Sequence, residues 1–190
     1  ERLAALGRIV KLVREPGGTL IGEEIRHTLK HSSANHAMTA ETELLLMNAS
    51  RAQLVREVIR PALSAGEIVL CDRFYDSTTA YQGYGRGLDL MLVEKVIDFA
   101  VGETRPQLTL LFQVPPEVSR TRLASRQSTL PFMRDRMEEA DQEFFERVMK
   151  GYQAIELAEP GRVKLIDAAG SVEAVRDEIW KQIEPLLNRR

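Results

Sequence analysis

Apolar residues along this 190-residue chain fall into two alternating patterns. Short, largely apolar runs at residues 9–13 (I-V-K-L-V), 68–71 (I-V-L-C), 108–114 (L-T-L-L-F-Q-V) and 163–166 (V-K-L-I) have the length and content of strands buried on both faces of a sheet. Between them the apolar period lengthens. Ile21, Ile25 and Leu29 recur every four residues, residues 41–59 form a longer Leu-rich helix, and 90–101, 117–126, 138–157 and 172–187 complete the helical set. Strands separated by helices predict an α/β fold with a parallel sheet covered by helices on both faces. The first six residues read as the end of a helix stopped by Gly7. Residues 127–136, polar and basic with Pro131 among them, read as a mobile loop between two helices.

Composition narrows this picture. With 44% hydrophobic and 28% charged residues, the chain reads as one globular domain over residues 1–190. A net charge of −2 argues against a generic nucleic-acid binder, and no apolar run approaches the roughly 20 residues that a membrane helix needs. The single cysteine, Cys71, lies in an apolar run and reads as a buried thiol in a reducing compartment, which makes the cytoplasm the default location. His27, His31 and His36 lack metal-ligand spacing and read as surface residues.

In a parallel α/β fold, ligands bind beyond the carboxyl ends of the strands. After the first run comes R-E-P-G-G-T at Arg14 to Thr19. It fits neither G-x-G-x-x-G nor G-x-x-x-x-G-K-[ST], the loops whose backbone N–H groups cradle phosphates. After the second run comes C-D-R-F-Y-D-S-T, with a carboxylate, Asp72, where a nucleoside triphosphate enzyme places the group that holds a magnesium-bound water. Two alternatives stay open on the residues alone: Asp72 and Arg73 as an exposed turn with a surface ion pair, and Gly17 and Gly18 as a helix-entry turn without a ligand.

R-E-P-G-G-T, E-E-I-R, E-T-E-L-L-L-M-N-A-S-R-A-Q, C-D-R-F-Y-D-S-T and A-Y-Q-G-Y-G-R-G, in this order and spacing, resemble bacterial thymidylate kinases over essentially the whole chain. The resemblance implies a P-loop kinase-type sheet of five parallel strands and transfer of the ATP γ-phosphoryl group to thymidine monophosphate with Mg2+. It also implies a P-loop, its preceding strand and the first half of the following helix, none of which is in this sequence. That strand is central in the family's sheet, so its loss would leave a gap and an exposed apolar face, and a truncated sequence is the expectation. Without the loop and its Lys, the chain as written is expected to bind ATP poorly and turn over little.

Residue by residue, the resemblance places Glu15 facing the active site and Arg26 and Arg73 on the acceptor phosphate, a guanidinium fork suiting paired oxygens. Arg51 and Gln82 would hydrogen-bond the thymine edge, Thr78 would add a polar contact, and Met47 would stand against the base where relatives carry a stacking Phe. Asp72 would hold Mg2+ through water. A lid around 120–138 would close over ATP, with Arg122, Arg126, Arg134 and Arg136 as candidates for phosphate contact, Arg126 and Arg134 as the catalytic choices. No role is assigned to Asn48. The family's homodimers suggest one here, with the 41–59 helix as a possible face and ordinary core packing as the alternative for its leucines. Two rival functions remain on sequence grounds: a kinase for another nucleoside monophosphate, which would lack the Arg51 and Gln82 pair, and a non-catalytic nucleotide-binding remnant.

Overall fold

The computed structural model describes residues 1–115, 117–119, 121 and 141–187. Two compact units divide the chain: Glu1–Arg105 with Asp135–Gly151, and Pro106–Arg134 with Tyr152–Arg190.

The first unit opens with a short helix, α1 (Arg2–Ala5), and Gly7 at φ +71°, the left-handed turn expected of a glycine just past a helix. Strand β1 (Val10–Arg14) then runs parallel to β2 (Ile68–Asp72), with Val10 opposite Ile68 and Arg14 opposite Asp72. Each strand continues one residue past its apolar run, because backbone pairing does not stop where side chains become polar. The ladder in fact extends further, as the Glu15 N–H donates to the Asp72 carbonyl at 3.0 Å.

The expectation of burial on both faces is not met here. Val13, Val69 and Cys71 pack against the core, while Leu12 and Leu70 are 74% and 39% exposed. Alternate residues of a strand point to opposite faces, so an apolar run on both faces leaves one set open wherever helices cover a single face. Cys71 is accordingly half-buried rather than fully buried, and burial, with Glu15 and Asp72 close by, pushes its thiol up.

Helix α2 (Leu20–Lys30) begins at Thr19, whose hydroxyl accepts from the Gly22 N–H at 2.9 Å. Helix α3 (Ala40–Leu54) is capped by Thr39 in the same way and runs into a wide π turn, Val55–Ile59, and then α4 (Arg60–Ser64). The helical path therefore passes the end expected at Ile59. Pro61 lies in the first turn of α4, where a missing N–H is tolerated. After β2 come α5 (Tyr75–Thr78), a second π turn, Thr79–Gly85, and α6 (Leu90–Val101), which has the expected bounds and starts on an Asp89 cap.

The core joins Leu44, Leu54, Val55 and Ile59 to Val93, Ile97, Ala100, Val101 and Tyr75. Most apolar residues of the Leu-rich helix thus serve ordinary core packing, with Leu45 left outside. Arg56 and Arg60 donate to the Ala100 and Val101 carbonyls, closing the end of α6. Residues 142–151, the first part of α7 (Gln142–Ala158), brace the second π turn: Arg147 donates to the Gly85 carbonyl, and a Cβ at Gly85 would stand 2.7 Å from the Phe144 ring.

In the second unit β3 (Thr109–Gln113) runs parallel to β4 (Val163–Asp167), and α8 (Val172–Leu187) packs on β4 with the expected bounds. Arg162 ties the start of this pair, donating to the Thr109 hydroxyl at 2.7 Å. The expected helix 138–157 is described from Gln142 to Ala158. The loop 127–136 and most of the helix 117–126 lie outside the described residues.

Candidate functional site

The carboxyl ends of β1 and β2 carry the sequence R-E-P-G-G-T on one side and C-D-R on the other. Glu15 leaves β1 pointing inward and is 6% exposed. Its Oε2 accepts from Arg51 Nε at 2.9 Å and from Arg51 Nη2 at 2.7 Å. Arg51, 2% exposed, also donates from Nη1 to Asn48 Oδ1 at 2.8 Å, and Asn48 donates on to the Leu44 carbonyl. Asn48 therefore has a physical role that sequence reasoning missed: it occupies the third edge of a guanidinium already held by a carboxylate. Phe74 lies against the same group, its ring centroid 5.6 Å from the guanidinium carbon.

Glu15 Oε1 is buried and has no hydrogen-bond partner among the described residues. Burial raises the Glu15 carboxyl above the ordinary carboxylate range, with Arg51 opposing the rise. An unsatisfied acceptor at this depth is an opening for a donor from water or a bound molecule.

The two glycines turn the chain with φ of +122° and +83°, conformations that L side chains rarely adopt. Their N–H groups are used internally: Gly17 donates to Ser50 Oγ at 3.0 Å and Gly18 to Glu23 Oε1 at 2.8 Å. The turn is thus clamped onto α3 and α2 rather than open as a phosphate cradle. The Gly18 bond is also the main reason the Glu23 carboxyl lies below its usual range. Arg26, half-buried on α2, reaches back to the Pro16 carbonyl at 2.9 Å, which puts its guanidinium beside the turn.

On the other strand, Asp72 is exposed at the end of β2, and Arg73 follows with φ +64°. A non-glycine residue in the left-handed region is strained and persists only where its surroundings hold it. Here the Cys71 thiol donates to the Arg73 carbonyl at 2.9 Å, and the Arg73 guanidinium carbon lies 5.3 Å from the Tyr81 ring centroid. No glycine marks this turn in the sequence, so composition gave no signal of it.

The remaining expected residues lie on α3, at the end of α5 and in the second π turn. Met47 is half-buried on α3, one turn before Arg51. Thr78 and Gln82 are buried, 2% and 1% exposed. Gln82 meets Glu43 rather than Arg51, donating from Nε2 to Glu43 Oε1 at 2.8 Å, and Arg86 closes on the same carboxylate through Nε at 3.1 Å and Nη2 at 2.9 Å. Glu43 and Arg86 were not anticipated. The one signal was a set of polar residues, Glu43, Asn48, Ser50 and Arg51, on a helix otherwise rich in leucine, since polar groups buried there must find partners. Arg122, Arg126, Arg134 and Arg136 lie outside the described residues. His27, His31 and His36 are exposed, and no cluster of three or more metal-ligating side chains occurs among the described residues. No helix among them is long and apolar enough to cross a membrane.

Parallel strands flanked by helices, with charged groups gathered beyond the carboxyl ends of β1 and β2, define an α/β protein of the P-loop kinase type. A family model for thymidylate kinase matches residues 1–179, and the chain belongs to the thymidylate kinase family, a family of phosphotransferases. It is 46% identical to the thymidylate kinase of Pseudomonas fluorescens over 100% of this chain and 87% of that protein. It is 44% identical to the thymidylate kinase of Synechococcus sp. (strain JA-2-3B'a(2-13)), over 98% of this chain and 85% of that one. Among solved structures, thymidylate kinase from Ehrlichia chaffeensis superposes with a TM-score of 0.69 at 31% identity, over 92% of this chain and 79% of that one.

Proposed function

We propose that the gene product to which this chain belongs catalyses the reaction for which its family is named, transferring the γ-phosphoryl group of ATP to thymidine monophosphate. The observation that supports this most directly is the juxtaposition at the ends of β1 and β2. There an exposed Asp72–Arg73 pair is hydrogen-bonded, backbone to backbone, to Glu15, whose buried carboxylate holds Arg51. In phosphoryl transfer the protein chiefly positions two anions and neutralises charge. On this reading Arg26 and Arg73 take the acceptor phosphate. Arg51 and Gln82 face the base edge, with Met47 against its plane and Thr78 as a further polar contact. Arg51 arrives already oriented: Glu15 and Asn48 occupy Nε and one proton on each terminal nitrogen, leaving one N–H on each to donate elsewhere.

The donor set suits a hydrated cation. Asp72 is open to solvent at a strand end and, among the described residues, belongs to no cluster of three metal-ligating side chains, so on this reading it would hold Mg2+ through water. Mg2+, when bound, neutralises charge on the ATP phosphates. The lid arginines Arg122, Arg126, Arg134 and Arg136 are proposed for phosphate contact on the family resemblance alone. The same resemblance supports a cytoplasmic homodimer that acts on small nucleotides, without nucleic-acid or membrane partners.

The test is a panel of monophosphates offered with ATP and Mg2+ to the full-length gene product. Thymidine monophosphate should give the highest kcat/KM, and equal or better turnover of a cytidine or purine monophosphate overturns the assignment. In the same protein Asp72→Asn should lower kcat by about two orders of magnitude or more with little change in folding. A magnesium titration of that variant matching the unmodified enzyme removes Asp72 from metal positioning.

A further inference from the structure

We infer that Glu43 is a positioning residue that fixes which end of the Gln82 amide faces the base, and thereby admits a pyrimidine with an N3–H while rejecting one with a 4-amino group. The inference rests on the reading that Gln82 faces the base.

A carboxamide is nearly symmetric in shape and opposite in chemistry at its two ends, one a double donor and the other an acceptor. What decides its orientation is the partner. Glu43 is 1% exposed, and three donors converge on its two oxygens: Gln82 Nε2 and Arg86 Nε on Oε1, and Arg86 Nη2 on Oε2. A carboxylate so engaged only accepts, so the amino end of Gln82 must face it. Turning the amide over would set a carbonyl against a buried carboxylate, two acceptors with no proton between them. The frame is itself braced, since Arg86 lies 4.6 Å over the Phe144 ring and the Gly85 carbonyl is held by Arg147.

With the amino end committed, Gln82 offers its carbonyl oxygen. Thymine and uracil carry a hydrogen on N3 and satisfy that acceptor. Cytosine presents a bare N3 and a 4-amino group, so it would meet the amide acceptor to acceptor while its own donor faced the Arg51 donors. Rejection by an unpaired buried polar group is far steeper than rejection by shape. The device ignores the 5-methyl group, which gives it an internal control.

The experiment compares dTMP, dUMP and dCMP as substrates of the full-length gene product carrying Glu43→Gln or Gln82→Ala. In Glu43→Gln the partner at 43 can present either end, so Gln82 is free to turn. The preference for dTMP over dCMP should fall at least about tenfold, mostly through KM for dCMP, while the dTMP to dUMP ratio stays within about twofold. If Gln82→Ala erodes the preference and Glu43→Gln keeps it, Glu43 is only structural and the inference fails while the base reading stands. If Gln82→Ala changes neither dTMP affinity nor preference, the base reading fails and takes the inference with it. Should Glu43→Gln not fold, the side-chain amide protons of Gln82 in the unmodified protein decide by 15N NMR. Slow exchange that persists on adding dTMP supports the inference, and fast exchange with or without dTMP overturns it.

Discussion

Arg14 and Glu15 are neighbours in the chain and each makes an ion pair, yet the two pairs are of opposite character. Arg14 Nη2 meets Glu23 Oε1 at 3.0 Å with the side chains 48% and 44% exposed. Arg51 Nη2 meets Glu15 Oε2 at 2.7 Å with both nearly sealed from water, at 2% and 4%. Strand alternation alone separates them, sending position 14 outward and position 15 inward. The outer pair is screened and contributes little, whereas the inner one is a fixed frame whose partners have no water to fall back on. Local charge pattern thus says nothing about the worth of a pair; the face it points from does.

The strongest way to break this contrast is Arg51→Met, which leaves Glu15 buried and unpaired. It should destabilise the fold by about 3–5 kcal/mol in a urea titration, and adding Glu15→Gln should recover part of the loss. A loss no larger than that of an exposed pair would erase the distinction. Gly18→Ala strikes the joint between the two pairs: at φ +83° its Cβ would lie 2.8 Å from Leu54 Cδ1. The expected loss is about 1–3 kcal/mol, read as a shift in urea midpoint at unchanged slope. Glu23→Gln keeps an acceptor for the Gly18 N–H and removes only charge, so it should shift stability by at most about 1 kcal/mol, an effect that fades in high salt.

The smallest effects, with opposite signs, appear on titration. Glu23 is shifted down, so its contribution is present above the unfolded carboxylate value and is lost as pH falls through its lower folded value. Glu15 is shifted up, so its contribution is complete below the unfolded value and is lost as pH rises through its higher folded value. Between about pH 3 and 7, unfolding temperatures of the unmodified protein measured against Glu23→Gln should therefore fall with acidification. Measured against Glu15→Gln they should rise. Parallel slopes would mean that the two carboxylates share one environment.

Strands and helices were legible because burial leaves a period in the sequence: α6 and α8 have the bounds that the pattern implied, and each strand differs by one residue at one end or at both. What the pattern could not carry was partnership. Glu15 and Arg51 are 36 positions apart, and Glu43 is 39 from Gln82, with no local spacing to link them. Leu12 and Leu70 read as buried because an apolar run records what a strand is able to bury, not what covers it. Asn48 had no account until the third edge of Arg51 required an acceptor. Arg73 had none of the glycine that normally announces a left-handed turn. The base-facing assignments of Arg51 and Gln82 came from family likeness, and the structure adds the scaffolding behind each.

The wide turn Thr79–Gly85 has a consequence for how this gene tolerates change. An α-helix advances by about 100° per residue, and a π turn holds one residue more than an α-helical path between the same points would. Loss of a single codon here would close the turn to an α-helical path between the same end points, so that residues inside it, Gln82 among them, change angle relative to the Glu43 carboxylate while the flanks keep theirs. The identity of its residues is held as well: Ala80, Gln82, Gly83 and Gly85 are buried, and a Cβ at Gly83 or Gly85 would stand 2.7 Å from Leu90 Cδ2 or from the Phe144 ring. The segment is accordingly constrained both in its count and in its spelling, and a drifting lineage would neither trim it nor freely reword it.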